Sequence, residues 1–185
     1  MILQRKHRFS VDEFYRMGET GIIGREQRVE LLEGEVIEMS PIGSQHAACV
    51  RRLEKIFGAY FKEKVLLSVQ NPIHLNDHSE PQPDIALLRP RADFYSQSHP
   101  APRDILLVVE VADASLEDDR LVKSLLYAKS GIKEYWIINL IEKNIIIYRN
   151  PSSDGYQDCR IVGTGQKFSV EAFPKDVFYA GEIFG

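Results

Sequence analysis

The sequence has no long hydrophobic run. Nothing in it approaches the roughly 20 apolar residues that a helix needs to cross a bilayer. The N-terminal MILQRKHRFSVDEF carries basic residues with no apolar run behind them, an expectation against a signal peptide. Cysteine is scarce, with Cys49 and Cys159 far apart and no CxxC pair. That excludes a disulfide scaffold and a cysteine-built zinc site, and points to free thiols in a cytoplasmic protein. Internal repeats and Gly/Ser-rich linkers are also missing, so the 185 residues read as one domain with a substantial core. Positive charge is not in excess either: 23 Lys and Arg stand against 27 Asp and Glu, a formal net charge of −4. A permanent nucleic-acid scaffold rests on phosphate neutralisation and is disfavoured by that balance; transient contact with DNA is not.

What is present is a patterned chain, 44% hydrophobic and 27% charged, the composition of an ordinary globular protein. Ser10 followed by Glu13 is a capping-box signature for a helix over 10–18. Glu33-Gly34 sits between two short strand patterns and reads as a hairpin turn. Ser44 is placed to cap a long amphipathic helix, with Val50, Leu53, Ile56, Phe57 and Tyr60 at helical spacing. Arg51, Arg52 and Lys55 fall on its solvent side.

A strand near 65–75 is interrupted at Asn71-Pro72, which suggests a sheet edge or a kink. Then come a buried strand after Pro83-Asp84, the apolar run DILLVVEV, and a helical pattern over LVKSLLYAKS. The strands GIKEYWIINL and KNIIIYR follow, and two short strands are expected near 156–162 and 167–171. The last residues, VFYAGEIFG, should pack on the core. The order predicts an α/β (α+β) fold, a mixed sheet flanked by helices.

Two acids stand out. Asp84 opens one apolar strand and Glu110 closes another. If those strands are adjacent and antiparallel, the carboxylates meet. Paired carboxylates repel, and a hard divalent cation with oxygen ligands, Mg²⁺ or Mn²⁺, is the usual remedy. On the following helix Asp119, Lys123 and Tyr127 recur at i, i+4 and i+8, beside apolar Leu121, Val122, Leu125 and Leu126. Lys123 could then balance charge beside a metal-bound water. The same residues also fit a plainer arrangement: solvated acids at strand ends and a surface Asp119–Lys123 pair. His74 and His78 have H-x₃-H spacing but lack partners for zinc. Trp136 and Tyr135 suit the core.

Pro83-Asp84 together with Glu110-Val111-Ala112 resembles the signature of the PD-(D/E)XK nuclease superfamily. More closely, the chain resembles the Uma-type restriction endonuclease branch. VELLEGEVIEMSP with His46 beyond it, PQPDIALL, LLVVEVADAS, Asp119, Lys123, Tyr127 and GIKEYWIINL match in order and spacing. The superfamily lysine position is Ala112 here, and the branch carries its lysine on the next helix, where Lys123 stands. Asp113 and Asn139 replace the branch's usual Ser and Asp.

The resemblance implies a restriction-endonuclease-like fold and a Mg²⁺- or Mn²⁺-dependent endonuclease that acts transiently on DNA. Asp84, Glu110 and the Val111 carbonyl would bind metal. Lys123 would activate water or stabilise charge, Glu30 would be an accessory acid, and His46 would contact the phosphate or donate a proton. A homodimer would let one site per chain cut both strands. A catalytically silent binding module of the same fold, or a hydrolase of another phosphate ester, would leave the same residues in place.

Overall fold

The computed structural model describes residues 6–113 and 116–185. The first five residues of the basic N-terminal segment and Ala114-Ser115 of the polar stretch lie outside the described residues. Helix α1 (Val11–Glu19) starts at Ser10 with both halves of the capping box formed, as the sequence predicts. Strands β1 (Val29–Leu32) and β2 (Glu35–Glu38) form the expected antiparallel hairpin. Its two turn residues, Glu33 (φ 47°) and Gly34 (φ 81°), both adopt the left-handed conformation that a two-residue turn demands. A Cβ on Gly34 would stand 2.6 Å from that of Arg8, so glycine is required there twice over.

Helix α2 (Ser44–Phe61) follows, but its cap is Gly43 and Ser44 is the first helical residue. The expected Ser44 cap is therefore corrected: no side chain satisfies that helix end. Val50, Leu53 and Phe57 are buried as the spacing requires, whereas Tyr60 turns partly to solvent and Phe61 completes the stripe.

The main sheet has six strands in the order β3-β4-β5-β6-β7-β8. These are β3 (Leu66–Val69), β4 (Ile85–Leu88), β5 (Ile105–Ala112), β6 (Glu134–Asn139), β7 (Asn144–Ser152) and β8 (Gly155–Gly163). β3 is an edge strand that ends before Pro72, consistent with the missing N–H of proline. All pairs are antiparallel except β5–β6. A parallel pair needs a crossover, and the helical segment between β5 and β6 supplies it.

That segment runs through α3 (Leu116–Asp118), a π-helical turn (Asp119–Lys123) and α4 (Ser124–Lys129). A π turn bonds i to i+5 and so shifts the phase of the helix. Leu121 and Val122, expected beside the core, are instead 66% and 47% exposed, while Leu126 and Tyr127 are buried. The single apolar stripe is broken by that extra residue.

β9 (Lys167–Ser169) is shorter than expected and pairs with β10 (Val177–Tyr179) in a separate two-stranded sheet. The C-terminal Phe178, Ala180 and Ile183, the last in α5 (Gly181–Phe184), pack into the core as anticipated. The two faces of the main sheet bury separate clusters. Leu107, Val109 and Val111 face α2, whereas Val108 and Ala112 face the crossover helix. Glu110 interrupts the second series.

Candidate active site

Register decides the position of the first two acids. β4 and β5 are antiparallel, with Ile85 opposite Val109, so Asp84 just before β4 lies beside Glu110. The backbone N–H of Asp84 donates to Glu110 Oε2 at 3.3 Å. Asp84 Oδ2 accepts the N–H of Val111 at 2.9 Å, and Oδ1 accepts from His46 Nε2 at 2.8 Å and Gln70 Nε2 at 3.2 Å. His46 reaches it from the first turn of α2.

The crossover helix brings the cation. Lys123 Nζ lies 2.9 Å from Glu110 Oε1 and 3.1 Å from Glu30 Oε1. One α-helical turn later, the Tyr127 hydroxyl donates to the same Glu110 oxygen at 2.9 Å. Glu30, on β1, accepts the Gln82 N–H on its other oxygen at 3.0 Å. All five expected site side chains, Asp84, Glu110, Lys123, Glu30 and His46, therefore line one cavity of about 400 Å³, together with Val111 and Asp119.

Glu30, Asp84, Glu110 and Asp119 are each at most 8% exposed. Glu30, Asp84 and Glu110 crowd the site around one ammonium, and a low-dielectric site tolerates close carboxylates poorly. Burial and the neighbouring Asp119, Asp84 and Glu30 carboxylates push Glu110 up to about 8, against the opposing pull of Lys123. For Lys123, burial works against the charged form, but Glu110, Glu30 and Asp119 outweigh it and hold the ammonium firmly protonated. Burial, and then Glu110, drives the Tyr127 hydroxyl well above its usual range, so it remains a donor.

The donors present suit a hard divalent ion, since all are carboxylate or carbonyl oxygens. Among the described residues no group of three or more His, Cys, Asp or Glu is arranged around one ion position. Glu30 is turned to Lys123 and the Gln82 N–H. Asp84 and Glu110 are the carboxylate pair that the strand register sets side by side, every oxygen already accepting a hydrogen bond, with the Val111 carbonyl next to Glu110 on β5.

Two supporting residues escaped the sequence reading. Gln70 holds Asp84 and adopts the left-handed conformation (φ 52°), while Gln82 Nε2 donates to the Gln70 carbonyl at 2.5 Å. Together they tie the Asp84 segment to the Glu30 hairpin. Gln82 lies inside the Pro-Gln-Pro-Asp motif, the one local hint; Gln70 offered none.

The departures at Asp113 and Asn139 do not disturb the centre. Asp113 is exposed at the cavity edge, and Asn139 Oδ1 caps a turn by accepting from the N–H groups of Ile141 and Glu142. His74 and His78 go to different partners, Glu80 and the Phe9 carbonyl. Arg51, Arg52 and Lys55 are exposed, and Trp136 and Tyr135 are fully buried.

A sequence model of the Uma2 family, described as "Putative restriction endonuclease", matches residues 11–180. The chain belongs to the Uma2 family. A crystal structure from Anabaena variabilis ATCC 29413, described as a "putative nuclease belonging to DUF820", superposes with a TM-score of 0.73. It is 17% identical, and the match covers 95% of this chain and 97% of that one, so the Uma2 chain shares its whole fold. No curated protein matches the chain. No helix among the described residues is long and apolar enough to cross a membrane.

Proposed function

We propose that this Uma2-family chain is a divalent-metal-dependent endonuclease that hydrolyses DNA phosphodiester bonds. One observation carries the reading: the buried carboxylates of Glu30, Asp84 and Glu110 meet in one cavity around the single ammonium of Lys123. A structural ion pair needs one acid, not three. Asp84, Glu110 and the Val111 carbonyl would hold Mg²⁺ or Mn²⁺, which would polarise the phosphate and acidify a water.

Lys123 orients the attacking water and offers its protons to charge developing on the phosphate. Glu30 and Tyr127 hold that ammonium and the Glu110 carboxylate in register. His46 donates to Asp84 Oδ1 and so fixes its orientation, a different role from direct phosphate contact. A homodimer, with one site for each strand, would account for double-strand scission.

The test is plasmid nicking by the purified protein with Mg²⁺ or Mn²⁺. Cleavage by wild type and none by Asp84→Ala or Lys123→Ala supports the assignment. Equal cleavage by variants and wild type removes it.

A further inference from the structure

We infer that a second copy of this chain docks on β8, strand against antiparallel strand, with the two-fold axis at Cys159. The contact stands whether or not the cavity cuts DNA. β8 closes one end of the six-stranded sheet and β3 the other. β3 is four residues long and stops before the left-handed Gln70 and Pro72, so it offers little free backbone. β8 spans nine residues, Gly155–Gly163, and contains no proline. Among the described residues, no backbone–backbone hydrogen bond outside the β7 pairing involves 155–162. Gln157, Asp158, Cys159, Arg160 and Ile161 are all exposed, Ile161 at 60%. Folded proteins blunt such an edge with proline, lysine or a short strand, or else they cover it.

The placement of charge selects a second copy over a foreign strand. The run GYQDCRIVG holds two charged residues, Asp158 and Arg160, one on each side of Cys159. In an antiparallel pair centred on Cys159, residues equidistant from it lie opposite each other. Asp158 then faces Arg160 of the second copy, and symmetry repeats that pair at the other end. The two side chains share a face, since they stand opposite Arg149 and Ile147, two residues apart on β7. Asp158 accepts from the Asn150 amide, while Arg160 has no partner among the described residues. Centring the pair on Asp158 or on Arg160 sets like charges opposite each other, which is unfavourable. One register is therefore self-complementary. It also lays the exposed Ile161 against Gln157 of the second copy, and brings the free, exposed Cys159 to its own counterpart. Directly opposed Cα atoms in an antiparallel pair lie about 4.5–5.5 Å apart, within the roughly 4.4–6.8 Å that a disulfide spans.

Sedimentation equilibrium of the full chain in reducing buffer tests the docking. Wild type should form a dimer that dissociates on dilution. Asp158→Arg sets arginine against arginine at both ends of the contact, and Arg160→Asp sets aspartate against aspartate. Each should raise the dimer Kd by about ten-fold or more. The double exchange, Asp158→Arg with Arg160→Asp, should restore the dimer, and so should an equimolar mixture of the two single variants. Mild oxidation with diamide should link two wild-type chains by a disulfide. Cys159→Ser should lose that link and still dimerise in the centrifuge. A monomeric wild type overturns the inference, as does a dimer that the single reversals leave intact. Failure of both the double exchange and the mixture to recover dimers overturns it too, as does a dimer that forms no Cys159 cross-link.

Discussion

The Lys123 ammonium lies 2.9 Å from Glu110 Oε1, although one residue is carried by a π turn and the other by the strand before it. The same ammonium reaches Glu30 on the hairpin at 3.1 Å. Strand, hairpin and crossover helix are held together at one charge. Removing that charge should therefore affect both chemistry and stability. Lys123→Met should abolish cleavage and lower the unfolding free energy by about 3 kcal/mol, because it strands buried carboxylates. Urea unfolding beside the nicking assay checks both. Lys123→Arg should not restore cleavage, since a planar guanidinium is no substitute for a compact ammonium.

The stability of the metal-free protein should fall as pH rises from about 5 to about 8. Glu110 is pushed up to about 8 from an ordinary value of 4.5, so between those values the folded state holds a proton that the unfolded state has lost. Stability then decreases with pH through that window, by on the order of a few kcal/mol in total. Lys123, shifted upward, stays protonated throughout and adds no slope there. Thermal unfolding across the window should show the decline, and Glu110→Gln should flatten it. An unchanged slope in that variant would place the titration elsewhere.

His46 should act through Asp84. His46→Ala should raise the Mn²⁺ concentration for half-maximal cleavage by roughly ten-fold or more, the usual scale for a residue that orients a metal ligand. The rate at saturating Mn²⁺ should change much less. A collapse of that saturated rate with unaltered metal dependence would instead mean that His46 touches the reacting phosphate.

Tyr127→Phe removes one donor from Glu110 Oε1 and leaves the ring packed against Tyr135, 4.9 Å away between centroids. A loss of about 1 kcal/mol in stability is expected, with Glu110 still oriented by Lys123 and the Asp84 N–H. Urea denaturation measures it.

Much of this centre was legible because strand pairing is a short-range rule. Apolar runs of the right length located β4 and β5, and antiparallel pairing then brought Asp84 to Glu110. The hairpin turn and the α1 cap were equally local, each fixed by two or three residues. The π turn was not. Leu121 and Val122 look like core residues at α-helical spacing, and only the i-to-i+5 turn explains their exposure. The Gln70 and Gln82 supports were invisible for a related reason: glutamine amides have no pattern until the backbone brings an acceptor to them. Gly43 took the α2 cap position from Ser44, a one-residue shift that side-chain preference alone does not resolve.

Calorimetric titration of Mn²⁺ into the wild-type protein near pH 7, repeated in buffers of different ionisation enthalpy, tests the central claim most directly. A cation held by Asp84 and Glu110 competes with the proton that burial favours on Glu110. Binding of one ion per chain with net proton release is expected, and the release should vanish in Glu110→Gln. No measurable binding, or the same proton release in that variant, would contradict a metal centre built on this pair.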